Sequence, residues 1–163
     1  MNKKQSKQTI RNSKIKRLAE NKYARYQYEI LETLEAGIAL LGSEVKSVRE
    51  GKSNLKDGFC TIRDDELLLL NVHISHNQNS GQFFNHDPTR NRKLLVHKNE
   101  IKKLKEKTQK KGLTIIPLSI HLKGSWIKIS IGIGKGKNIH DKRQSEKKKE
   151  SNREIKQALR RIN

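Results

Sequence analysis

The chain has 163 residues and carries 37 Lys+Arg against 17 Asp+Glu, a net charge of +20 with a pI near 10.2, which points to polyanionic partners. Hydrophobic residues make up 32% and aromatics 4%, enough for one modest core with solvated segments attached. The best apolar runs, Ile38 to Leu41 and Leu67 to Leu70, fall far short of the ~20 residues of a bilayer span, no apolar stretch follows the first lysines, and the lone Cys60 leaves neither a disulfide framework nor a cysteine zinc site. No membrane association and a cytoplasmic location are therefore expected, with Cys60 as a small core residue.

Residues 1–20 hold seven Lys+Arg and one Glu, and residues 135–163 hold eleven Lys+Arg and four acids. These ends carry most of the excess charge and few apolar side chains to offset the entropy of ordering. A basic flexible arm (1–20), a folded body (21–134) and a basic tail (135–163) are the expected units.

From Tyr26 the alternation Tyr26, Tyr28, Ile30, Leu34, bent near Gly37 and continued by Ile38 to Leu41, predicts one long curved strand. Ser43 as cap, then Glu44, Val45 and Val48 with a Gly51 stop, predict a short helix. Phe59 to Arg63 and Glu66 to Ile74 flank Asp64-Asp65, a hairpin whose second strand should be central. Residues 75–92, rich in Asn, His, Ser and Gly and containing Pro88, read as a long loop. Ile101, Leu104 and Thr108 line one side of a lysine-rich helix ending at Gly112. Ile116, Leu118, Ile120 and Leu122, all expected to point inward, form a second hairpin with Ile127, Ile129, Ile131 and Ile133 across Gly124, Pro117 lying at an edge or a bulge. The fold class expected is mainly β with short helices: a small OB-type antiparallel β-barrel of about five bent strands, flanking helices and disordered basic termini. A split sheet with two helices on one face is the alternative.

Catalytic and metal chemistry find little support. His86-Asp87 and His140-Asp141 are adjacent pairs whose members point to different faces, and His73, His76, His97 and His121 lack ligand spacing and read as polar surface. Gly132, Gly134 and Gly136 lack a P-loop lysine and hydroxyl, and suggest a flexible exit from the last strand. No enzyme, metal or cofactor is expected. What remains is Lys/Arg for phosphates, with His and Tyr rings available to bases, although Tyr26 and Tyr28 fit core or groove walls better. Past Gly136 no Gly or Pro interrupts the chain, and on a helix Lys142, Lys149, Arg153, Lys156 and Arg160 fall within about 60° of arc, with Ile155, Ala158, Leu159 and Ile162 nearly opposite. The apolar face is confined to the end, so residues 141–162 are expected to be unstructured alone and helical along a phosphate-lined channel. A plain solvated charge run is the competing reading.

Several blocks then resemble a known family. Asn21-Lys22-Tyr23-Ala24-Arg25-Tyr26, Glu35-Ala36-Gly37, Gly42-Ser43-Glu44-Val45-Lys46-Ser47-Val48-Arg49 with Gly51-Lys52-Ser53-Asn54-Leu55, Asp87-Pro88-Thr89-Arg90-Asn91-Arg92-Lys93-Leu94-Leu95, and Lys135-Gly136-Lys137 with His140-Asp141-Lys142-Arg143 are similar, in order and spacing, to the bacterial SsrA-binding protein (small protein B) family. Departures are minor: Ser53 where Ala is usual, His76 where Pro is usual, and a Ser-Asn pair in the tail. The resemblance implies an OB-type barrel that binds the tRNA-like domain of transfer-messenger RNA and delivers it to stalled 70S ribosomes in trans-translation, its tail occupying the empty message channel and decoding region of small-subunit rRNA. It implies RNA-gripping roles for Asn21, Glu35 and Leu95, with Lys22, Arg25, Arg90, Arg92 and Lys93 as phosphate contacts. It associates Gly136, His140, Asp141, Lys142 and Arg143 with the decoding region, and the stripe Lys149, Arg153, Lys156 and Arg160 would extend along the channel. A monomer is expected when free. Two rivals are weighed beside this reading: a general single-strand-binding OB protein tolerant of RNA identity, and a metal-dependent nuclease built on His86 and Asp87.

Overall fold

The computed structural model describes residues 15–77, 85–109 and 112–162, without the side chains of twelve residues between Ile139 and Ile162. In chain order the elements are β1 (Lys16–Glu20), α1 (Ala24–Gln27), β2 (Tyr28–Ile38), α2 (Gly42–Arg49), β3 (Ser53–Asn54), β4 (Phe59–Arg63), β5 (Glu66–Leu70), β6 (His73–Ile74), β7 (Arg92–Leu95), α3 (Lys98–Thr108), β8 (Leu113–Lys123), β9 (Trp126–Gly136) and α4 (Ile139–Ile162).

Strands β8, β4, β5, β7, β2 and β9 pair in that order, and β9 pairs back onto β8, so the antiparallel ladder closes on itself. Closure removes exposed sheet edges, and the small barrel expected from the sequence is present with six strands in its ring. β1 adds to β8 outside the ring, and β3 and β6 form a separate two-stranded sheet. Leu67, Leu69, Leu94, Ile115, Ile120, Ile129 and Ile131 fill the barrel, while α2 and α3 contribute Val48 and Leu104 to the same core. A second, smaller cluster lies outside the barrel wall, where Ala24 of α1 meets Ile116 and Leu118, with Tyr28 and Ile30 against it.

Several sequence expectations hold. Asp64 and Asp65 both take positive φ (47° and 56°), as the tight turn of a twisted hairpin requires, and β5 lies between β4 and β7. Gly51 ends α2 at φ 76°, its N–H bonded to Val48 O and that of Lys52 to Ser47 O, a left-handed cap that glycine takes without strain. Cys60 is buried in the core.

Other expectations need correction. Lys16–Glu20, placed in the flexible arm, is strand β1, because its Leu18 and Ala19 pack on the core and β4 pairs with β8 only at Ile115, which leaves Ser119 to Leu122 on that side of β8 for β1; residues 1–14 lie outside the described residues. Tyr26 belongs to α1 rather than to the long strand: the Asn21 carboxamide oxygen accepts the Ala24 N–H at 3.0 Å, which starts a helical turn, and β2 runs only from Tyr28 to Ile38. Leu41, not Ser43, precedes α2, and Glu44 reaches back to the Leu41 N–H at 2.8 Å. Arg92–Leu95, read as the end of a loop and its sequel, forms β7. A bulge between Pro117 and Ser119 shifts the frame of β8, so Ile116 and Leu118 join the outer cluster while Ile115 and Ile120 face the core. Gly132 and Gly134 are buried inside β9 rather than at a flexible exit. A Cβ at Gly132 would sit 3.0 Å from both Ile30 and Leu118, so this strand is glycine-rich where the outer cluster presses on it.

Candidate nucleic-acid interface

Strand alternation sends Leu34, Ala36 and Ile38 of β2 and Ile127, Ile129 and Ile131 of β9 to the core, which leaves Glu35 and Gly37, and Trp126, Lys128 and Ser130, on the outer face. The registers align these into cross-strand rows. One runs from Leu95 (β7) through Gly37 (β2) and Lys128 (β9) to His121 (β8) and Arg17 (β1); the next runs from Glu35 through Ser130 and Ser119 to Glu20. Lys93 stands two residues before Leu95 on the same side of β7, whose burial alternates.

The centre of this face is a carboxylate with two nitrogen partners. Glu35 accepts a hydrogen bond from the Lys123 Nζ at 2.8 Å and lies 3.1 Å from the Nε2 of the buried His121. The Lys123 hydrogen bond holds the Glu35 carboxyl below its usual range; partial burial opposes it and the His121 bond adds to it. Glu35 is thus an oriented anion inside a basic surface, with lone pairs to accept from a base or ribose and the wrong charge for phosphate. Leu95 is 54% exposed beside it. A Cβ at Gly37 would approach the Leu95 Cβ to 3.1 Å, so this glycine lets the leucine lie flat over the sheet. Lys93, exposed, pairs with Glu66 across β7 and β5.

Arg25 and Lys22 are exposed on and just before α1. Arg25 lines a shallow cleft with Arg17, Glu20, Thr33, Ser119 and Ser130, continuous with the rows above. The same short helix anchors the start of the tail: the Lys137 N–H donates to Gln27 O at 2.9 Å, and the Lys137 Nζ to Arg25 O at 3.0 Å. Gly136 is exposed at the end of β9, and Asp141 lies in the first turn of α4, where a negative charge suits the helix dipole. α4 carries Lys142, Arg143, Lys149, Arg153, Lys156 and Arg160, and Ile155 and Leu159 are exposed on it. The side chains of His140, Lys149, Lys156 and Arg160 lie outside the described residues.

Three residues expected to touch RNA are turned inward. Asn21 is buried; its Nδ2 donates to Leu55 O at 2.9 Å and Pro117 O at 3.1 Å while its Oδ1 caps α1. Arg92 has no exposed side-chain surface: it donates to Glu44 at 2.8 Å, to Val72 O at 2.7 Å, and to Arg90 O and Pro88 O, each at 3.0 Å. Arg90 also donates to the fully buried Glu44, through its Nε at 2.9 Å and through Nη2, and is 28% exposed. One buried glutamate therefore ties α2 to both arginines of the Asp87–Arg92 segment. The polar atoms of Asn21 and Arg92 are thus engaged within the protein, and those of Arg90 largely so.

His121, expected as polar surface, is buried, and so is His86. His86 bonds Ile74 O and the Ser43 hydroxyl, each at 2.9 Å, through its two ring nitrogens, and the Asp87 carboxylate accepts the Thr89 N–H at 2.8 Å. The sequence reading missed Lys123, Lys128, Ser119, Ser130 and Arg17. The polar positions between the isoleucines of β8 and β9 carried that signal.

A closed antiparallel barrel with a basic outer face and a basic helical extension is the build of a polyanion-binding module. The family model described as "SmpB protein" matches residues 18–161. A protein of Prochlorococcus marinus (strain MIT 9515) called SsrA-binding protein is 67% identical over 158 residues, 97% of this chain and 96% of the relative. Another of that name, from P. marinus subsp. pastoris, is 70% identical over 90% of this chain and 84% of its own length. A solved structure described as "tmRNA-SmpB: a journey to the center of the bacterial ribosome" contains a chain 46% identical, with a TM-score of 0.63, covering 74% of this chain and 85% of that one. The chain belongs to the SmpB protein family.

Proposed function

We propose that the chain is an RNA-binding protein of trans-translation, not an enzyme. It grips the tRNA-like domain of transfer-messenger RNA with the outer face of β7, β2, β9 and β8 and carries it, in the cytoplasm, to ribosomes stalled without a stop codon. The observation that carries this reading is the gathering of Glu35, Lys93 and Leu95, residues distant in sequence, with Lys123 and Lys128 on one face. The names of the relatives and the setting of the solved chain support the same RNA and the ribosome as partners.

In this mechanism the lysines and Arg25 supply phosphate attraction, Leu95 packs on exposed base or ribose surface, and Glu35 accepts from a base edge or a 2′-OH, so recognition is by contour and not by sequence. Asn21, Arg90 and Arg92 act through the shape they hold. Because the tail starts at α1, which also presents Arg25, the RNA-bound face and α4 have a fixed relation at their junction. The basic stripe of α4 would follow rRNA phosphates in the empty message channel, where counterion release repays ordering of the tail; Gly136 would give the bend and the His140–Arg143 segment would reach the decoding region.

Competition binding tests the proposal. Unlabelled transfer-messenger RNA should displace a labelled tRNA-like domain far better than bulk tRNA does; equal competition would mean a general single-strand-binding protein and overturn it.

A further inference from the structure

The only tryptophan of the chain stands at the tip of the β8–β9 hairpin. Trp126 lies directly across from Lys123 and is 75% exposed, the most exposed large hydrophobic side chain among the described residues. It shares the outer face with Lys128 and Ser130, opposite to Ile127 and Ile129. The turn beneath it is braced, since the β8–β9 ladder is paired up to Lys123 and Trp126, and the Arg49 guanidinium of α2 donates to Ser125 O at 3.4 Å. Among the described residues no ring or cation stacks on the indole. A large flat π-surface thus projects into water from a braced turn, with Lys123 across the ladder, Lys128 on the same face and Arg49 reaching the turn.

We propose that Trp126 is a stacking platform for an unpaired base of the RNA bound on this face, with Lys123, Lys128 and Arg49 meeting the adjoining phosphates. The inference rests on the RNA-binding reading of the outer face and extends it to the hairpin tip. Three cations around the indole favour an anionic polymer over an apolar protein pocket, and every base has a π-face that an exposed indole can accept. Lys123 is already oriented by Glu35, so the platform and the centre of the face are joined through one side chain.

Fluorescence of the full chain under excitation at the red edge, where the three tyrosines do not absorb, reads this residue alone. Titration with transfer-messenger RNA should quench Trp126 with the same midpoint as filter binding. Trp126→Ala should weaken filter binding by about tenfold, within the range of one lost base stack, and Trp126→Phe should stay within about threefold of wild type; circular dichroism checks that both fold. Tight filter binding with unchanged fluorescence and a wild-type affinity for Trp126→Ala would overturn the platform. A fluorescence change that appears with ribosomes and not with the RNA would also overturn it, assigning the indole to a ribosomal partner. Leu95→Glu separates the two readings: if it binds RNA as wild type does, the outer face itself is not the interface and both fall; if it loses binding while Trp126→Ala does not, the platform alone fails.

Discussion

Glu44→Gln removes one charge from the interior and little volume. The native carboxylate, with no exposed surface, accepts from Arg92 Nε at 2.8 Å, Arg90 Nε at 2.9 Å, Arg90 Nη2 and the Leu41 N–H at 2.8 Å. Glutamine offers one acceptor oxygen and turns an amide NH2 toward donors, and Arg92, itself without exposed side-chain surface, keeps its charge with no counter-ion. Breaking one partner of a buried pair costs about 3–5 kcal/mol, a large share of the roughly 5–15 kcal/mol that holds a domain together. In urea, where m is about 1–3 kcal/mol/M for small proteins, the midpoint should fall by roughly 2 M with m unchanged. Glu66→Gln, which breaks the exposed pair with Lys93, is the control and should stay within about 1 kcal/mol of wild type. Burial alone would raise the pKa of Glu44, but its bonds to Arg90 and Leu41 and the charge of Arg92 hold it below the ordinary 4.5. Its stabilisation is therefore present above that value and lost as pH falls through the lowered folded pKa, so the variant should show a flatter stability curve below about pH 4.5. Equal losses for Glu44→Gln and Glu66→Gln would refute the clamp.

Asn21→Ala leaves Leu55 O and Pro117 O without the Asn21 donor and α1 without its cap; a loss of about 1–3 kcal/mol by thermal or urea unfolding is expected, with weaker RNA binding following from a displaced Arg25. Gly132→Ala brings a methyl to 3.0 Å from Ile30 and Leu118 and should destabilise by about 1–3 kcal/mol by the same assay, since overpacking forces side chains off their rotamers. Lys128→Gln should weaken binding of the tRNA-like domain and reduce the slope of log K against log salt by about 0.7–0.9; an unchanged slope would place Lys128 off the phosphates. Glu35→Gln frees Lys123 and His121, and in competition assays it should raise affinity for bulk tRNA relative to transfer-messenger RNA.

The readable parts of the fold are those where local chemistry and tertiary environment agree. Asp64-Asp65 between apolar runs, Gly51 after Val48, and isoleucines at every second position of β9 each specify one answer. β7 escaped because its four residues alternate with Arg92 as a buried member, and burial of an arginine depends on a glutamate 48 residues earlier. β1 hid in a basic segment whose pairing depends on a free edge of β8. The bulge after Pro117 reversed the sides of Ile116 and Leu118, a shift that sequence period alone cannot place. The same limit governs the site. Leu95 and Glu35 carry over from the family motif to one exposed face, whereas charge type alone could not tell the outward Lys93 from the inward Arg92 beside it.

Removal of residues 136–163 separates the work of the barrel from that of the tail. The truncated chain should bind the tRNA-like domain within a few-fold of the full chain, because the outer face from β7 to β8 remains, yet should support no tagging on stalled ribosomes. A truncated chain that loses RNA binding, or one that still tags, would contradict the account.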